Sequence, residues 1–507
     1  MSLSFLHRLV LAIVLAGTFQ SANADDATKS RPQPAGEQTA AERQETAKGV
    51  LRLLPADAVT EHSIDTSRGK LAYTATAGTL AFYDQSGEQS ASVFYTAYVA
   101  KGGSANRPLT FVFNGGPGAA SAFLHLGLVG PRILDFGRDQ HDATRAALRD
   151  NPDTWLAFTD LVLIDPIGTG WSRAIKPEVA KNFWTVTSDA SAMAKAISLY
   201  VANNNRAGSP KYLFGESYGG FRAAKTARAL QSEQGIIING IVMLSPLLNG
   251  SLTFGSDSNP LHAALQLPSL AAAELEHKQA FTSDALAAAE KFAMTDYLVT
   301  LAGPPPKGEA AKSFYDRVAQ ITGLPLDVVT QERGYVASAY VKNLRGREGK
   351  IVSRYDAAFA IDDPYPEARS SRSPDPILDV VTRAYGGAMA SYARNELGFK
   401  TEMTYTLLAR DIHWDWGGGG RLQTGVEDDL RTLLAYGPSF RLLIAHGYSD
   451  MITPYAMTRY VLNRLPDFDP PGRVQLKLYR GGHMLYLDPE SRKAFSADAA
   501  MFFRDKE

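Results

Sequence analysis

The stretch "YLFGESYGGFRAAK" (212–225) sets a serine between two glycines in the frame G-x-S-x-G. "KYLFG" before it suits a buried strand and "FRAAKTARALQ" after it suits a helix. That is the strand–turn–helix context of a nucleophile elbow, with Ser217 held out over a sheet edge and Gly215 and Gly219 relieving the crowding. A serine hydroxyl needs an imidazole to take its proton and an acid to fix that imidazole's tautomer. "LLIAHGYSDMITP" offers Asp450 and "LKLYRGGHMLYLD" offers His483, each just past a strand candidate. His446, at the end of its own strand, and His413, in "DIHWDWGGGG", are read as structural. Acyl transfer also requires backbone N–H donors for an oxyanion. Tyr218, next after the serine, supplies one. The other belongs after "LTFVF", in "NGGPGAAS", where Gly115 and Gly116 allow close approach and Pro117 stiffens the turn. The same loop lacks both common phosphate-binding patterns, and no spacing such as H-E-x-x-H suggests a metal. The awkward residue is Glu216, an acid beside a group that must become more negative to react.

These residues need a scaffold that brings distant loops to one edge. Short apolar runs bounded by turn residues recur at 109–114, 161–165, 211–215, 241–245, 441–447 and 474–479, after the β-rich "KLAYTATAGTLAFY" and "ASVFYTAYVA". Such runs fit strands buried on both faces of a mostly parallel sheet. Helical patterns separate several of them; "SDASAMAKAISLYVANN" opens with a Ser/Asp cap. The count predicts an α/β fold of about eight strands. The order Ser217…Asp450…His483 is that of α/β-hydrolases. Residues 251–438 interrupt the rhythm and are too long for a loop; they predict an inserted, largely helical cap or lid. The core is then 49–250 with 439–507.

The 507 residues are ample for a large core, and a net charge of −1 leaves no electrostatic footprint for nucleic acid. "MSLSFLHRLVLAIVLAGTFQSANADD" has a basic start, a short apolar run and small residues at Ala22–Ala24, the form of an export signal over 1–24. A solvated leader over 25–48 follows, and the mature chain is expected in the periplasm or outside the cell, with no membrane contact after cleavage. The absence of cysteine excludes thiolate nucleophiles and thiolate metal sites. Neither cofactor nor metal is expected, and the partner is a substrate.

"FNGGPGAAS", "NPDTWLAFTDLVLIDPIGTGWS", "FGESYGG", "GYSDMI" and "GGHM" occur in the order seen in the serine carboxypeptidases, the S10 peptidases, which the core of this chain resembles. The resemblance implies a peptide substrate and removal of its C-terminal residue through an acyl-enzyme. It assigns Ser217, Asp450 and His483 to the triad and Gly116 and Tyr218 to the oxyanion hole. It assigns Asn114, Gly115 and Glu216 to the substrate's terminal carboxylate and Met484 to the leaving-residue pocket. A protonated Glu216 would donate to that carboxylate rather than repel it. The chain departs from the family where a second glutamate belongs: the aligned residue is Leu128. Arg132, just beyond, is a surface arginine that could offer a compensating charge. An esterase, an acyltransferase or a proline-type aminopeptidase would use the same machinery, and a non-catalytic binding protein would keep only the scaffold.

Overall fold

Alternating and fully apolar runs become strands because a pleated chain presents successive side chains to opposite faces. The computed structural model describes residues 48–504 apart from 68, 105 and 138–141. The export signal expected at 1–24, and the leader expected at 25–48 up to its last residue, lie outside the described residues. The strands are β1 (Ala58–Thr66), β2 (Gly69–Tyr83), β3 (Gln89–Ala100), β4 (Leu109–Phe113), β5 (Arg132–Asp135), β6 (Ala147–Asp150), β7 (Asp160–Ile164), β8 (Arg173–Ala174), β9 (Lys211–Glu216), β10 (Gly240–Leu244), β11 (Lys350–Val352), β12 (Ala360–Asp362), β13 (Arg441–Gly447) and β14 (Val474–Tyr479). One sheet runs β1-β2-β3-β7-β4-β9-β10-β13-β14, with β8 paired to β3.

From β7 to β14 every neighbour is parallel, while β1, β2 and β3 form an antiparallel flank. The eight runs read as strands are all in this sheet. The additional β1 has no apolar run to betray it: "AVTEHSIDT" sets exposed residues between half-buried ones, with Ile64 alone buried, and nine paired residues on β2 hold it. In β4, β7, β9 and β10 every residue is buried, as a sheet covered on both faces requires. The long helix before β9 spans Val186–Asn203 and is capped by Thr185, whose Oγ1 accepts from Ser188 N at 3.1 Å. The Ser/Asp cap expected from the sequence is thus displaced to Thr185, the last extended residue before the turn.

Between β10 and β13 the chain leaves the sheet for helices including Pro260–His277, Ser283–Phe292, Gly308–Thr322, Ala384–Asn395 and Glu427–Tyr436, with the β11–β12 hairpin among them. Helix Gly308–Thr322 buries Phe314, Tyr315, Val318 and Ile321, a stripe at helical spacing. These side chains share an apolar cluster with Leu267, Leu270 and Ala271 of the first of those helices, separate from the two clusters that cover the faces of the sheet. No helix of the described residues is long and apolar enough to cross a membrane.

Trp155 braces the strand that carries the serine. Its fully buried ring stacks on Phe214 at 4.7 Å and meets Phe495 edge-on, and its Nε1 donates to Ser496 Oγ at 3.1 Å. Trp155→Ala is expected to cost about 3–5 kcal/mol through the cavity it leaves. A urea midpoint shifted down at constant slope is the measurement.

Candidate active site

Ser217 follows β9 at a backbone setting of φ 60° and ψ −125°. A non-glycine residue there stores roughly 1–3 kcal/mol of strain, which the surroundings must impose. They do so through hydrogen bonds: Ser217 N donates to Leu244 O at 2.9 Å, and Ser217 O accepts from Gly220 N at 3.0 Å and Leu247 N at 3.1 Å. The turn closes so tightly that a Cβ on Gly215 would collide with the carbonyl of Gly219.

Of the nine residues singled out in the sequence, eight line one cavity of about 120 Å³, and Asp450 lies buried behind it. They arrive on the loops after β4, β9, β13 and β14, all at the carboxyl edge of the parallel strands. Asn114, Gly115 and Gly116 follow β4. Glu216, Ser217 and Tyr218 turn from β9 into helix Tyr218–Glu233. His483 and Met484 follow β14. The N–H groups of Gly116 and Tyr218 make no hydrogen bond among the described residues, so both remain available as donors.

His483 Nδ1 lies 2.8 Å from Asp450 Oδ2. An ionised carboxylate only accepts, so Nδ1 carries the proton and Nε2 keeps its lone pair. Asp450 also accepts from Ile452 N at 2.7 Å, Thr453 N at 3.1 Å and Thr453 Oγ1 at 2.9 Å. Burial works against its charge, but the charge of His483 and these bonds outweigh it, and the Asp450 pKa lies below the usual carboxylate range. Burial likewise disfavours imidazolium, yet the charges of Asp450 and Glu216 hold the His483 pKa above its ordinary value.

Glu216 is 2% exposed. Asn114 Nδ2 donates to its Oε2 at 2.6 Å, and the Tyr486 hydroxyl lies 3.1 Å from Oε2 and 3.3 Å from Oε1. Burial pushes the carboxyl up to about 7, against the pull of His483 and of these two donors. Leu128 is buried in the core, so no second carboxyl stands there. Arg132 does not compensate: it pairs with Asp150 and Glu396.

Three contributors escaped the sequence reading. Thr453 lies three residues past Asp450 and Tyr486 three past His483, so proximity was the available hint. Tyr355 gives none, because it comes from the turn between β11 and β12. Tyr355 O accepts from His483 N at 2.6 Å, and its ring meets the imidazole edge-on at 5.2 Å. Its neighbours tie down the acid loop: Met451 N donates to Arg354 O at 3.1 Å, Ala357 N to Ser449 O at 2.9 Å, and Ser449 Oγ to Asp356 Oδ1 at 2.6 Å. The segment therefore fastens the Asp450 and His483 loops to each other.

Such a sheet, with a serine on a strained elbow and a histidine–carboxylate pair on the same edge, has the α/β-hydrolase fold. Residues 71–293 match the family model described as serine carboxypeptidase. Among solved structures it resembles Kex1(delta)p, a prohormone-processing carboxypeptidase from Saccharomyces cerevisiae. The identity is 15% over 91% of this chain and 96% of that one, with a TM-score of 0.53. Proline iminopeptidase from Mycobacterium smegmatis, at 14% identity over 88% and 98% of the two chains, has a TM-score of 0.34 and bears on nothing further. No curated protein sequence matches.

Arg222 anchors the floor of the site. Fully buried, it donates from Nε to Asp189 Oδ2 at 2.7 Å and from Nη1 to Asn114 O. Arg222→Gln would leave Asp189 buried beside a neutral group and free the Asn114 loop. The expected loss is about 3–5 kcal/mol in chemical denaturation.

Proposed function

We propose that the enzyme removes C-terminal residues from peptides, with Ser217 as nucleophile, His483 as base and Asp450 as the acid that orients it. Ser217 Oγ bonds to the scissile carbonyl carbon as its proton passes to His483 Nε2. The N–H groups of Gly116 and Tyr218 receive the oxyanion, a kind of stabilisation worth about a hundredfold to a thousandfold in rate per donor. The C–N bond then breaks, His483 returns the proton to the leaving nitrogen, and water repeats the sequence on the acyl-enzyme. No metal or cofactor enters these steps.

The observation that carries this reading is Glu216, a carboxyl poised near neutrality in the cavity beside the nucleophile. In its neutral form it donates to the terminal carboxylate of the peptide, with Asn114 and Gly115 holding the other side. Met484, Phe123 and Leu378 give the cavity apolar walls, which favours an apolar leaving residue. Residues 251–438 act as the cap over this edge. The signal at 1–24 directs the chain out of the cytoplasm, to the periplasm or the exterior.

Glu216 and His483 titrate as a coupled pair. In the reactive form His483 is neutral and Glu216 holds the proton. At low pH His483 becomes charged and stops acting as base. As pH rises through about 7 Glu216 ionises and repels the substrate's carboxylate. The kcat/KM for free-acid peptides is therefore expected to be bell-shaped, with its upper limb near neutrality. C-terminal amides or esters should show only the lower limb, and below neutrality free acids should be cut about 10–100-fold faster than amides, the worth of a charge-assisted hydrogen bond. Equal rates on acids and amides would instead favour an esterase or acyltransferase. Cleavage of free-amine dipeptide amides but not of blocked acids would favour an aminopeptidase.

Glu216→Gln keeps a donor and removes the titration. It should still cleave free acids, lose the upper limb, and move the lower limb down because imidazolium loses a supporting charge. An unchanged profile counts against the role given to Glu216. Labelling by a serine-reactive phosphonate, abolished in Ser217→Ala, tests the nucleophile; a folded protein that takes no label at any pH is a binding protein and not this enzyme.

A further inference from the structure

We infer that Tyr486 is the positioning residue that makes Glu216 a lone carboxylate reader, its hydroxyl standing in for the absent second acid. This rests on the function proposed above. Leu128 is an apolar buried residue where the family places an acid, and the side-chain hydroxyl that meets Glu216 is the neutral phenol of Tyr486. Tyr486 is fully buried on the short turn after His483, and its hydroxyl reaches both Glu216 oxygens. Room for the ring comes from Gly127, next to Leu128: a Cβ there would lie 2.5 Å from Tyr486 Cε2. Burial and the charge of Glu216 hold the Tyr486 phenol well above its ordinary pKa, so it remains an O–H donor wherever the enzyme works.

The donors choose which oxygen carries the proton. Asn114 Oδ1 accepts from Leu124 N at 3.0 Å, which fixes the amide so that Nδ2 faces Glu216. Asn114 Nδ2 and the closer approach of Tyr486 then converge on Oε2. An oxygen that accepts from two donors is a poor place for a third hydrogen, so the proton of neutral Glu216 sits on Oε1. Two acids sharing a proton would leave that choice open and would titrate in two coupled steps. With tyrosine as the partner, Glu216 gains or loses its proton without a second carboxyl following it.

The other groups around Glu216 are His483 and Asp450 on the loops after β14 and β13, Tyr355 between β11 and β12, and Tyr385 on helix Ala384–Asn395, with Arg492 beyond Tyr385. Tyr486→Phe leaves all of them in place and keeps the ring. Removing a hydrogen bond that favours the ionised form should raise the Glu216 midpoint.

Two readouts test this. In Ser217→Ala protein, isotope-edited infrared titration follows the C=O band of protonated Glu216, assigned by its loss on Glu216→Gln. Tyr486→Phe should shift the midpoint up by about half a unit to one unit. Trifluorotyrosine at position 486, a stronger donor with the same packing, should shift it down. In the active enzyme the upper limb of kcat/KM for free-acid peptides should move in the same directions. With Tyr486→Phe, KM for those peptides should rise about threefold to tenfold below the limb, the worth of one hydrogen bond. On a C-terminal ester, which brings no carboxylate to Glu216, the loss in kcat/KM should be smaller than on the free acid. Midpoints unchanged in both substitutions would reduce Tyr486 to packing and overturn the inference. Equal cleavage of acids and amides would sink the function proposed above, while the infrared midpoints would still decide what Tyr486 does.

Discussion

The site depends on a carboxyl group kept out of water. Glu216 is the last residue of β9, so the strand's own burial carries it into the interior one step before the chain turns out to present Ser217. Desolvation is the largest influence on its proton, and the donors around it only moderate that influence. Every neighbour follows from this constraint. Asn114 must aim its amide inward, the 122–129 segment must leave space for a ring, and the histidine next to the cavity must tolerate a second acid besides its own. The elbow and the carboxyl are thus one device: the turn that strains Ser217 also seats Glu216.

Four loops from a parallel sheet converge because parallel strands deliver their carboxyl ends to a common edge. The Asp450 and His483 loops bond to each other through Ser449 N and Gly481 O at 3.0 Å and through the two side chains. The backbone between β11 and β12 adds bonds to Ser449, Met451 and His483. Arg222 performs the matching service below, holding the Asn114 loop to the helix that begins at Tyr218. The apolar clusters supply rigidity, and these few polar ties supply aim.

Much of this was legible in the sequence because it is local. The elbow occupies five consecutive residues, the apolar runs announce their own burial, and Asp450 and His483 each follow such a run. β1 was illegible because its residues are half solvated and only pairing with β2 makes them a strand. The Thr185 cap was misplaced by a few residues because serine, aspartate and threonine are all competent caps and only the backbone chooses among them. Tyr355 left no trace since its contribution is mostly a carbonyl, which every residue type owns. Tyr486 sat in plain view beside "GGHM", but what it touches is set by Gly127 across the fold, and a tyrosine after a turn is ordinarily packing.

The tie between Tyr355 and His483 has a bearing on how such a protein can change. An inserted region that merely roofed a cavity could drift, shrink or be exchanged while the chemistry underneath stayed intact. Here the same stretch holds the imidazole by a main-chain bond and the acid loop by two more. The region that lines the cavity with Tyr355 and Leu378 is therefore also the one that ties down the histidine and its acid loop. A lineage that remodels this region must either spare its own hinge on the histidine or rebuild it from a different segment.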